Sequence, residues 1–130
     1  MANSRVAWFS RVRTSSRVQA EPFRSRHFEG NLLAELRVNA EAEAAYRALV
    51  MDTRFEAGTL LVETLLGRDG APAALLALER RAEGWAFSEV DPEGVPLPFD
   101  ESLCRGCHAG ALAAPVFGPA RIVPERESKR

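Results

Sequence analysis

Two tight-turn signals set close together limit the architecture of this chain more than any other feature. Gly67-Arg68-Asp69-Gly70, running on into Ala71-Pro72, and Glu83-Gly84 bracket the segment from Ala73 to Glu83. Its composition favours a helix, but a strand between two turns fits the spacing better. An apolar run, Thr59 to Leu66, precedes it, and an aromatic run, Trp85 to Val90, follows and is closed by Asp91-Pro92-Glu93-Gly94. Connections this short join antiparallel neighbours. Upstream, Leu32, Ala34, Leu36 and Val38 alternate with other residues in Asn31 to Val38, a strand with one buried face. Asn39 is then placed to cap a helix from Ala40 to Met51, rich in Ala, Glu and Leu, with Tyr46, Leu49 and Val50 toward the core. The expectation is an α+β fold: a mainly antiparallel β-sheet of about four to five strands with flanking helices.

Charge divides the chain more sharply than its net value of -1 indicates. Residues 1–28 carry six arginines against one acid, Glu21; residues 29–118 carry seven basic against fifteen acidic residues; residues 119–130 carry four basic and two acidic. An acidic body argues against nonspecific nucleic-acid binding. The Ser- and Arg-rich residues 1–28, with scattered apolar positions, read as a disordered extension, a transit-like amphipathic segment being the sharper alternative. Residues 29–118 read as the domain and 119–130 as a charged tail. No apolar run approaches the ~20 residues of a membrane span.

The two cysteines fall in one stretch, Cys104-Arg105-Gly106-Cys107-His108. This is the C-x-x-C-H spacing by which two thiols add to the vinyl groups of a haem and the following histidine ligates its iron. A loop from Pro96 to Glu101 leads into it, and Cys107 to Ala113 is the expected short C-terminal helix. Two other chemistries share part of the pattern. A redox dithiol uses Cys-x-x-Cys, but in a thioredoxin-like context near the N-terminus. A closed zinc site needs four ligands, and beyond these thiols and His108 the chain has only His27. Haem attachment normally occurs outside the cytoplasm, so a periplasmic or otherwise exported protein is expected, although no apolar signal segment is visible in this chain.

The order of motifs resembles a known family. Arg54-Phe55-Glu56-Ala57-Gly58-Thr59-Leu60-Leu61-Val62-Glu63, then Glu83-Gly84-Trp85-Ala86-Phe87, then the Cys104 to His108 motif with Ala109-Gly110, running into Val116-Phe117-Gly118, is similar to the cytochrome P-460 family and its relative, the beta form of cytochrome c-prime. The resemblance covers roughly Gly30 to Gly118. It implies a homodimer, one haem c per chain on Cys104 and Cys107, and His108 as the axial ligand of a five-coordinate iron. The open face would bind a small gaseous or nitrogenous ligand such as nitric oxide, with an electron-transfer partner possible in the redox branch.

One departure separates the branches. The hydroxylamine oxidisers cross-link a lysine to the haem, and the only lysine here is Lys129, in the tail. Arg80 stands nearest the cross-linking position, and a guanidinium that stays protonated cannot make that bond. The expectation is therefore a haem ligand-binding or redox protein; hydroxylamine or peroxide chemistry, or a haem-free thiol-disulfide oxidoreductase, are the enzymatic alternatives. For the distal pocket the candidates are Phe55, Glu63, Arg80, Phe87 and Phe99. Met51 reads as a core residue and His27 as a surface or strand-edge residue, so no second axial ligand stands out and the iron is expected to lie open under an apolar cap.

Overall fold

A computed structural model describes residues 4–118. Six strands form one antiparallel sheet: β1 (Ser16–Arg17), β2 (Phe23–Arg24), β3 (Leu33–Val38), β4 (Leu60–Leu66), β5 (Pro72–Arg81) and β6 (Gly84–Val90). Their order is β1-β3-β4-β5-β6, with β2 also pairing with β3. Helices α1 (Glu43–Arg47) and α2 (Glu101–His108) flank it, with 3-10 turns at Ala7–Thr14, His27–Gly30 and Ala40–Ala42. The fold is the expected α+β. Among the described residues no helix is long and apolar enough to cross a membrane.

The register sorts side chains onto two faces, because alternate residues of a strand point to opposite sides. On one face Val38, Leu61 and Leu78 stand abreast and are covered by Tyr46, Phe55 and Val116. The next row on this face runs Leu36, Glu63, Leu76, Glu89 across β3 to β6. The opposite face presents Leu60, Val62, Leu75, Ala77 and Val90, and what covers it is Trp8.

That role of Trp8 corrects the expectation for residues 1–28. From Ser4 onward the segment is folded onto the sheet, with Trp8 only 2% exposed and its indole N–H donating to Ser88 Oγ at 3.2 Å. Its arginines find the acidic body: Arg11 lies 4.0 Å from Glu79 and Arg17 3.2 Å from Glu35, while Arg5 donates to the Glu93 carbonyl and Arg11 to that of Gly58. The basic arm and the acidic domain are thus two parts of one fold. The charged tail expected over residues 119–130 lies outside the described residues.

The predicted helix from Ala40 to Met51 is shorter than expected. Asn39 does not cap it; its Oδ1 accepts from the backbone N–H of Leu60, tying the turn to β4. Beyond Arg47 the chain reverses at Val50 to Thr53, where Thr53 Oγ1 accepts from Val50 N–H and Asp52 takes a positive φ of 72°. This leaves Met51 69% exposed and Val50 62% exposed, so neither is the core residue expected.

Gly94, in the turn after β6, has φ +90°, and an added Cβ would fall 2.5 Å from Cγ of Phe9. Its carbonyl also accepts from Val6 N–H at 2.9 Å, so the turn anchors the arm. Left-handed backbone costs a residue with a Cβ about 1–2 kcal/mol, and displacing Phe9 adds to it. Gly94→Ala is expected to lower stability by about 2–3 kcal/mol, measurable as a reduced urea midpoint with little change in m.

Candidate functional site

Asp100 starts the motif-bearing helix by accepting from the N–H of Leu103 at 3.2 Å. Helix α2 therefore contains the whole motif and ends at His108, whereas the sequence pointed to a helix from Cys107 to Ala113. Inside a helix, Cys104, Cys107 and His108 fall at i, i+3 and i+4, on one face. No residue of α2 is buried. Cys107 is exposed and Cys104 half-buried, both as free thiols, and Leu103 (71%) and Leu112 (51%) leave apolar surface uncovered beside them. An open cleft of about 470 Å³ adjoins the helix, walled by Trp85 and Phe87 of β6 and by Glu101 and Arg105 of α2.

His108 is fixed in one tautomer. Its Nδ1 stands 2.7 Å from the carbonyl of Pro115, which can only accept, so Nδ1 carries the proton and Nε2 keeps its lone pair. Burial first, and the nearby His27, hold its pKa below the usual imidazole value, against the opposing pull of the Pro115 bond. Phe87 meets the ring edge-on at 5.3 Å and Phe117 tilted at 5.0 Å. A neutral imidazole with one nitrogen pinned and the other free is the form a metal takes.

His27 shares the site. Its ring lies 6.4 Å from that of His108, 20° from parallel. Nδ1 of His27 is 3.1 Å from Glu63 Oε2, and the same carboxylate oxygen accepts from Ser25 Oγ at 2.5 Å. The Glu63 hydrogen bond holds the His27 pKa above its usual value, against the burial that lowers it. Local structure explains the placement: β2 pairs with β3, and Ser25 N–H donates to the Leu32 carbonyl, which folds the His27 turn back over Glu63. Tyr46 adds a buried hydroxyl without a hydrogen-bond partner among the described residues, its pKa pushed up to about 12, chiefly by burial, with the Glu63 carboxylate adding to the effect.

The candidates from sequence divide accordingly. Phe87 and Glu63 reach the site, Phe87 against His108 and Glu63 against His27. Phe55 is instead buried edge-on against Trp85 at 5.9 Å. Arg80 bonds to the carbonyl of Arg81, and Phe99 stands 36% exposed in the loop before α2. His27, read from sequence as a surface or strand-edge residue, keeps a side chain 41% exposed, and its link to Glu63 was not foreseen. A usable signal was Glu63, a carboxylate within the apolar run Leu60–Leu66, which demands a partner when the strand is buried.

The Cys104 thiol is poorly set for redox exchange. Burial first, then the carboxylates of Glu89, Asp100 and Glu101, push the Cys104 thiol up, whereas a reactive thiol is held down at a helix N-terminus or beside a cation. No three His, Cys, Asp or Glu side chains converge as a metal site among the described residues. A haem does not require that, since its iron takes four nitrogens from the porphyrin and only axial ligands from the protein. The donor set present, two thiols and a neutral imidazole on one helical face beside uncovered apolar surface, suits that group. In comparisons with known proteins the chain matches no family model, no curated protein and no solved structure.

Proposed function

We propose that this chain is a c-type haem protein whose iron takes up a small ligand such as nitric oxide. The observation that supports it best is the shared face of Cys104, Cys107 and His108 on a helix with no buried residue, with the His108 ring oriented by its Nδ1–H bond to the Pro115 carbonyl. Each cysteine would add across one vinyl group, forming a carbon–sulfur bond while the thiol hydrogen passes to the other vinyl carbon, with no net oxidation. His108 would hold the iron through Nε2. The haem supplies a redox-active Lewis-acidic centre; the protein supplies the attachment, the imidazole and the aromatic wall of Phe87 and Phe117.

The raised Cys104 thiol argues against the dithiol alternative, and the single lysine at position 129 argues against a lysine–haem cross-link and the hydroxylamine oxidation that depends on it. An exported location, a homodimer and an electron-transfer partner belong to the same reading through the resemblance to the cytochrome P-460 family.

The test is export of the full chain, behind an added signal segment, into a periplasm equipped for haem attachment. The purified protein is expected to keep its haem after denaturation, to lose it when Cys104 and Cys107 are both changed to serine, and to develop a new absorption band with nitric oxide. Protein that carries no covalent haem under these conditions overturns the proposal. Steady turnover of hydroxylamine would overturn the argument from the missing lysine.

A further inference from the structure

Helix α2 meets the sheet without burying any of its residues, so apolar burial does not hold it there. The contacts that do are few. Arg105, which lies between the two cysteines, donates from Nη2 to the carbonyl of Trp85 at 2.9 Å, and among the described residues this is the one hydrogen bond from α2 to a strand. Strand β6 ends the sheet order, so its outer edge leaves backbone groups for side chains to meet. The same guanidinium stacks over Phe87, 5.0 Å from the ring centre. Glu101, one helical turn earlier, accepts from its Nε at 2.8 Å and its Nη2 at 2.5 Å, which holds the planar group in this orientation. Phe87 is in turn the ring that meets His108, at 5.3 Å and with 73° between the planes. Arg105 and His108 stand three residues apart, on one side of the helix, and share Phe87.

We propose that Arg105 is a positioning residue of the haem site: it clamps the motif helix to β6 and holds Phe87 against His108, so that it sets how the imidazole is presented to the iron. The assignment rests on the haem reading given above and gives Arg105 no contact with the ligand. Two consequences separate it from a surface anchor. The flat guanidinium stacks and donates at once, which the point charge of a lysine does not reproduce. Its positive charge, one ring away from the axial histidine, also favours ferrous over ferric iron and so raises the reduction potential.

The experiment compares the full chain with its Arg105→Ala, Arg105→Lys and Phe87→Leu variants by two readouts. The first needs no haem: the rate at which N-ethylmaleimide modifies Cys104, measured in a Cys107→Ser background. Arg105→Ala is expected to raise that rate about tenfold, the order that losing a charged hydrogen bond and a cation–π contact implies. Loss of a neighbouring cation would by itself slow the thiol, so an acceleration reports movement of α2. Phe87→Leu is expected to accelerate it too, and Arg105→Lys to fall between. The second readout is the reduction potential of the haem-loaded chain, with Cys107 intact. It is expected to fall in Arg105→Ala and to return toward the wild-type value in Arg105→Lys, which restores the charge. An unchanged Cys104 rate overturns the clamp, and a faster rate with an unchanged potential makes Arg105 an anchor only and overturns the positioning role; either result leaves the haem reading intact. A wild type without covalent haem overturns the haem reading and this role with it. Should Arg105→Ala fail to fold, Arg105→Lys and Phe87→Leu decide by the same two readouts.

Discussion

Trp8→Ala lowers the stability of the domain by about 3–5 kcal/mol, the usual cost of truncating a buried tryptophan. The indole is 2% exposed and packs with Leu60, Val62, Leu75, Ala77 and Val90 in the buried cluster on one face of the sheet. Removing it opens a cavity there and strands the Ser88 hydroxyl that its N–H meets. Against a typical total stability of about 5–15 kcal/mol, this loss leaves a domain near its unfolding threshold. Equilibrium urea unfolding, followed by circular dichroism, reads the effect without reference to any cofactor. An unchanged midpoint would restore the view of the arm as an appendage.

The second large effect appears in alkali. Tyr46 is 1% exposed, and its phenol is pushed up to about 12 from 10.0. In the unfolded chain the proton leaves near the ordinary value, whereas in the folded chain it stays until about two units higher. Between these values the unfolded chain binds fewer protons, so stability falls as pH rises through the window and is fully present below it. The loss on completing the window is on the order of 2–3 kcal/mol. Tyr46→Phe is expected to flatten this alkaline decline and to leave stability at neutral pH unchanged or higher, because a buried hydroxyl without a partner is removed. The chain has one tyrosine, so its ultraviolet titration reports this site alone. A decline of the same size in Tyr46→Phe would assign the effect elsewhere.

The strands were largely legible because turns and alternation are local properties. Ala73 to Glu83, ambiguous by composition, was resolved as a strand by its flanking turns, and β5 (Pro72–Arg81) follows. The helix after Asn39 was overestimated because Ala, Glu and Leu favour helix throughout, while the reversal at Val50 to Thr53 depends on Thr53 and a left-handed Asp52 that propensity does not register. The Cys-x-x-Cys-His spacing is plain in the sequence, yet its helix was displaced, because the Asp100 cap sets the start of α2 ahead of Cys104. His27 was beyond local reading. Its partner Glu63 lies 36 residues away and is reached only through strand pairing. The arm was misjudged for a similar reason: Trp8 finds its surface on strands that come much later in the sequence.

That separation governs the order in which the chain can assemble. Trp8 meets Ser88 across 80 residues, and Val6 bonds to Gly94 in the turn beyond β6. Contacts so distant along the chain close late and slow folding. During synthesis the first helical turn therefore waits, its indole uncovered, until β6 has left the ribosome. The arm is thus made well before the strands on which it packs.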